Sequence, residues 1–153
     1  MSEGKGIQVV ATNSPVLAVE ENPDPALRAE ILRPLRAYNE SKVGPIKAEL
    51  VAICLRDGEN AVIGGLWGQS VCDWLFVDLL VVPEQWRNRG LGTSLMKRAE
   101  EIARSRGCVG LWLNTGTFQA PGFYEKLGYR SFGKLPDYPR GHETIYYCKR
   151  LDA

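Results

Sequence analysis

The run DWLFVDLLVVP, residues 73–83, limits more than any other stretch what this chain can fold into. A strand with apolar residues on both sides has no polar face to turn to water, so it belongs inside a sheet covered on both faces. Pro83 ends the run, because proline cannot continue a strand ladder. Asp78 interrupts it, and a carboxylate within a buried strand needs either a partner or a cavity to face. Strict alternation places Asp78 on one face with Trp74, Phe76, Leu80 and Val82; a bulge in the strand would shift the later residues.

The rest of the chain supplies the other layers. Residues 7–20 mix strand formers with the turn-like TNSP and are expected to hold a first strand. A helix follows, with Asp24 as N-cap, Pro25 at the first helical position and Leu27, Ile31, Leu32 and Leu35 at helical spacing, kinked or divided at Pro34. Two strands meet at RDGEN, where Asp57 and Gly58 supply hairpin chemistry. Residues 92–106 read as a helix with the inward stripe Leu91, Leu95, Met96, Ala99, Ile102 and Ala103, capped by Gly107. CVGLWLNT reads as a strand, APGFYEKLG as a short helix capped by Gly128, and HETIYYCKRL as a closing strand. This order predicts a mixed α/β sheet flanked by helices on both faces, in one domain over residues 1–153.

Composition excludes several classes of partner. No apolar run approaches the roughly 18 residues that a membrane span needs. The N-terminus has no basic segment followed by an apolar one, so a cytoplasmic location is expected. A formal net charge of +1 argues against binding nucleic acid through phosphate contacts, so any anion site must be local. Cys54, Cys72, Cys108 and Cys148 form neither a CxxC pair nor a ligand set with His142, the single histidine, so no metal is expected.

The local anion site has an address. RNRGLG, residues 87–92, sits between the apolar strand and a helix whose first turn offers Thr93 and Ser94 and no acid before Glu100. Unpaired amides at a helix start attract anions, glycines let a ligand approach the backbone, and an acid there would repel a phosphate. The dinucleotide fingerprint GxGxxG fails at Leu95, and no GxxxxGK(S/T) occurs.

RNRGLG does match (Q/R)xxGx(G/A), with Arg87, Gly90 and Gly92 in the defined places, and it follows LLVVP; FYEKLGY comes later in the chain. In these motifs and their order, over roughly residues 46–150, the chain resembles the GCN5-related N-acetyltransferases (GNAT). The resemblance implies a mostly antiparallel central sheet and an enzyme that moves acetyl from acetyl-CoA to a primary amine in a ternary complex. Leu80, Val81 and Val82 would pair with the pantetheine arm, and the backbone of Arg87, Asn88, Arg89, Gly90, Leu91, Gly92 and Thr93 would meet the diphosphate.

Tyr124 aligns with the tyrosine that protonates the leaving thiolate in many relatives, and a core tyrosine is the competing reading. Where those relatives carry an asparagine seven residues earlier, this chain has Thr117, with Asn114 nearby; both are carried as cofactor contacts. For the base, Asp78 competes with a merely structural carboxylate, and His142 is the alternative. Tyr38, Trp67, Tyr138 and His142 are candidates for an acceptor pocket. A small-molecule amine is the expected partner, with a protein N-terminus as the other acceptor left open, without nucleic acid or membrane, and dimers are common in the family. A CoA-binding module without catalysis, and an acyltransferase of other acyl or acceptor preference, stay open.

Overall fold

The computed structural model describes residues 14–152. Contacts divide the chain into two compact units, Met1–Lys42 and Val43–Ala153. In the first unit, residues 14–20 carry no regular structure, and the remainder of the expected strand over 7–20 lies outside the described residues. Helix α1 (Leu27–Val43) starts two residues later than the expected Pro25, after a turn in which Asp24 Oδ1 accepts from the Ala26 N–H at 2.9 Å. The helix runs through Pro34 undivided, because one proline removes a single donor from a segment of 17 residues.

The second unit is a six-stranded sheet in the order β1-β2-β3-β4-β6-β5. Its strands are β1 (Glu49–Arg56), β2 (Val62–Val71), β3 (Trp74–Val81), β4 (Gly110–Gly116), β5 (Arg130–Pro136) and β6 (Glu143–Arg150). Only β3 and β4 pair in parallel; all other neighbours are antiparallel. The β1–β2 hairpin closes as expected at Asp57, whose Oδ1 accepts from the amides of Glu59 and Ala61 at 2.9 Å each. Sequence reading missed β5, since RSFGKLP has little alternation and pairs only along one edge, with β6.

Helices α2 (Leu91–Ser105) and α3 (Pro121–Lys126) cover the face that carries Leu66, Leu75, Val77, Leu113 and Tyr147. The stripe of α2 buries Leu95, Met96, Ala99 and Ala103 as its spacing predicts, and also Glu100. Each fully buried Leu or Met contributes about 1.5–3 kcal/mol, so this layer holds the helix in place. Among the described residues no helix is long and apolar enough to cross a membrane, and no disulfide joins the four cysteines.

The β2–β3 register settles where Asp78 sits. Trp67 pairs with Leu79 and Gly68 with Val77, so Asp78 is an extra residue in β3, a bulge. The bulge resets the alternation. Leu80, opposite buried Leu66, joins the face of Leu75 and Val77, whereas Leu79 joins that of Trp74 and Phe76. Strict alternation therefore misplaces Leu80 and Val82, and Asp78 itself is exposed.

Gly68 makes the bulge possible: a Cβ there would run into the Phe76 carbonyl oxygen. Gly68→Ala should destabilise the fold by about 1–3 kcal/mol through overpacking. Gly133→Ala, where an added Cβ meets nothing within 4 Å, is the control and should stay within about 0.5 kcal/mol. Urea unfolding midpoints measure both.

Candidate active site

The candidate site lies where β3 and β4 part. Their pairing ends at Val77 and Leu113, although β3 runs on to Val81 and β4 to Gly116. Beyond that point β3 stays bonded to β2 and β4 to β6, so the edges facing the gap carry main-chain groups without a strand partner. An extended ligand with amides of its own can meet such edges as an added strand does. Leu80 and Val81 belong to one wall and Asn114 to the other. Val82 follows β3, and its carbonyl accepts from Arg87 Nε at 3.0 Å.

At the end of β3, Pro83 leads into a 3₁₀ turn (Glu84–Trp86) and then to the start of α2. The Arg87 N–H bonds the Glu84 carbonyl at 3.2 Å, and the Ser94 N–H bonds that of Gly90 at 3.0 Å. The amides between them, from Asn88 through Thr93, have no acceptor among the described residues, and no side chain caps the helix. Asn88 at φ 59° and Gly90 at φ 80° are left-handed, and such turns curl successive amides toward a common point. At Gly90 a Cβ would find open space, so the backbone angle and not crowding favours glycine.

Gly92 serves a different contact. A Cβ there would stand 3.2 Å from the Phe123 ring of α3 and 3.9 Å from Val82. Its absence lets the end of β3, the first turn of α2 and α3 meet at one place. The first turn of α2 has no acid, and the Arg89 guanidinium lies over the Trp86 ring at 4.9 Å. Helix terminus and arginines together make this corner positive.

Tyr124 follows Phe123 and is buried, with the Tyr129 and Tyr147 rings each 6.1 Å away. Its hydroxyl has no acceptor among the described residues. Among the described residues no sealed polar side-chain atom lacks a partner, so that oxygen reaches open space. Burial pushes the phenol up to about 12, which keeps it protonated throughout the physiological range.

The acceptor candidates fall into separate groups. Trp67 stands opposite Leu79, next to the Asp78 bulge, and is 43% exposed. Tyr138 and His142 belong to the loop between β5 and β6, where the Tyr138 N–H bonds the His142 carbonyl at 3.2 Å. His142 stands edge-on to Phe118 at 5.1 Å, which brings this loop to the entry of α3. Thr117 joins the same cluster: its N–H bonds the Glu143 carbonyl at 2.9 Å, and its Oγ1 accepts from the Glu143 N–H at 3.2 Å. Those bonds tie Thr117 to the hairpin. Tyr38 lies on α1 in the first unit, with the Lys42 ammonium 5.4 Å from its ring centre.

Sequence reasoning missed Phe123 as the neighbour of Gly92, and it missed Gln119. Gln119 Oε1 accepts from Thr115 Oγ1 at 3.0 Å and from the Gly116 N–H at 2.8 Å, turning the chain from β4 toward α3. Phe123 acts through a partner far along the chain, whereas Gln119 bonds residues only three and four positions earlier but matches no turn pattern used in reading the sequence.

Comparison with known proteins gives the family and the fold. The family model described as Acetyltransferase (GNAT) family matches residues 18–129. A blasticidin-S acetyltransferase of Streptomyces morookaense is 43% identical over 125 residues, covering 81% of this chain and 90% of that protein. A solved structure from Agrobacterium tumefaciens has 34% identity and a TM-score of 0.83, covering 89% of this chain and 99% of that one. The crystal structure of an acetyltransferase from Bacillus cereus has 33% identity and a TM-score of 0.76, covering 88% and 98%.

The Tyr124 phenol predicts a pH effect on stability. In the unfolded chain it ionises near its ordinary value of 10, whereas in the folded protein it holds its proton to about 12. The stability it contributes is thus complete below pH 10 and lost as pH rises to about 12. Tyr124→Phe should flatten that part of the stability profile, as read from urea midpoints between pH 9 and about 12.

Proposed function

The chain belongs to the GNAT family of acetyltransferases, and from that premise we propose that it transfers acetyl from acetyl-CoA to a primary amine on a small molecule. The observation that carries this reading is the run of unpaired amides, Asn88 to Thr93, beside an open strand edge. Donors without an acid among them fit a diphosphate, and the edge fits the amides of a pantetheine arm. The thioester, when bound, supplies the activated acyl group. Several amides must act together, since one exposed helix terminus is worth only about 0.3–1 kcal/mol.

The chain's own residues then have distinct tasks. The amides from Asn88 to Thr93 hold the diphosphate, with Arg87 and Arg89 adding charge. The free edge of Leu80 and Val81 orients the arm. A main-chain N–H on that edge polarises the thioester carbonyl, and Asn114 closes the opposite wall. Tyr124 donates a hydrogen bond to the departing sulfur. Burial holds the phenol's proton well past the ordinary tyrosine range, so the phenol acts at working pH as a hydrogen-bond donor. Tyr124 therefore stabilises charge on the sulfur, and the final proton comes from the acceptor nitrogen.

An amine of lysine-like pKa, about 10.4, must lose a proton before it attacks, at a cost of about 4–5 kcal/mol near pH 7. Asp78, exposed at the bulge near the gap, takes that proton through water. Trp67, Tyr138 and His142 contribute to acceptor recognition. The likeness to a blasticidin-S acetyltransferase supports a small-molecule acceptor, and the absence of a strongly acidic composition agrees with it.

Thiol release from acetyl-CoA across a panel of blasticidin S, aminoglycosides, amino acids and peptide N-termini tests the reading. At least one small amine should turn over; CoA binding with no turnover on any amine would contradict it. Tyr124→Phe should lower kcat by about 100-fold and leave the Kd for CoA within about twofold. Thr93→Glu should weaken CoA binding about tenfold, measured by calorimetry, because the new acid faces the phosphates.

A further inference from the structure

Glu100 is a buried acid for which the proposed reaction has no use. It lies on the inward face of α2 and is 6% exposed, a position where a carboxylate is costly unless it is paired. Its Oε1 accepts from Lys149 Nζ at 2.9 Å and from Tyr129 Oη at 3.2 Å, and its Oε2 stands 4.0 Å from Arg104. An apolar cluster of the same volume would pack at least as well, so what the polar set adds is direction.

That direction leads to Tyr124. Tyr129 is 2% exposed, its ring meets the Tyr124 ring edge-on at 6.1 Å, and its N–H bonds the Tyr124 carbonyl at 3.1 Å. The Lys149 ammonium also lies 5.6 Å from the Tyr129 ring centre, so both charges grip the same side chain. From the other side, Tyr147 Oη donates to Glu125 Oε1 at 2.8 Å. Glu100 shares α2 with the amides of the candidate anion site, about 12 Å further along the helix at 1.5 Å per residue.

We propose that Glu100 is a positioning residue: through Tyr129 it fixes the Tyr124 phenol at a set distance from the amides at the start of α2. The proposal rests on the reading of Tyr124 as the donor to sulfur. It makes α2 a rigid spacer, with the phosphate contacts at one end and the clamp on the donor further along. The guidance is by hydrogen bond, so charge on Glu100 matters less than an acceptor oxygen at that place.

Tyr129→Phe removes only the hydroxyl and keeps the ring, so it tests the link even if Glu100→Ala fails to fold. With acetyl-CoA and the best amine from the panel, Tyr129→Phe should lower kcat about tenfold and leave KM for acetyl-CoA within about twofold. In a Tyr124→Phe background the same change should alter kcat by less than about twofold, since its route runs through the missing phenol. Glu100→Gln, which retains an acceptor oxygen, should keep most of the turnover. In CoA-free protein labelled with 3-fluorotyrosine, the Tyr124 fluorine signal should shift in Tyr129→Phe and hold its place in Glu100→Gln.

Additive losses in the double variant, or an unmoved Tyr124 signal, would reduce Tyr129 and Glu100 to packing and overturn the proposal. If Tyr124→Phe slows turnover and Tyr129→Phe does not, the proposal falls and the donor role stands. If Tyr124→Phe leaves turnover unchanged, both fall together.

Discussion

Hydrogen bonding between β3 and β4 stops at Val77 and Leu113, while each strand runs on beside its other neighbour. Backbone donors and acceptors left in this way need a partner, and water or a ligand must supply it. The bulge at Asp78 lies at the same point, so alternation resets just as pairing across the gap ends. Leu80 turns to the core, Leu79 turns outward, and the intervening backbone keeps one edge free. The sheet gives up part of its ladder here and gains a slot.

Helix α2 ties the slot to the rest of the site. Its first turn begins one short loop after β3, and its amides lack both a side-chain cap and a neighbouring acid. Gly92 lets Phe123 come close, which brings α3, the helix that carries Tyr124, against the start of α2. Burial keeps the Tyr124 phenol protonated while its oxygen stays open to a partner.

Where a residue's role depended on its own neighbours in sequence, it was legible. The apolar run predicted β3, the spacing of Leu95, Met96, Ala99 and Ala103 predicted the buried side of α2, and RNRGLG marked the place where amides go unpaired. Where the role depended on a partner far along the chain, it was not. Glu100 sits at an inward helical position, but only Tyr129 and Lys149 explain its burial. Gly92 looked like a glycine for ligand approach, and the structure adds a packing role against Phe123. Strand β5 escaped because an edge strand bonded on one side need not show the alternation that a half-buried strand does.

The most direct test of the central claim is an amide ¹H–¹⁵N spectrum of the protein titrated with CoA and, separately, with inorganic pyrophosphate. CoA should move the signals of residues 79–81 and 88–93 most, and pyrophosphate should move those of 88–93 alone. Signals from 88–93 that stay in place with saturating CoA would mean that these amides hold no diphosphate.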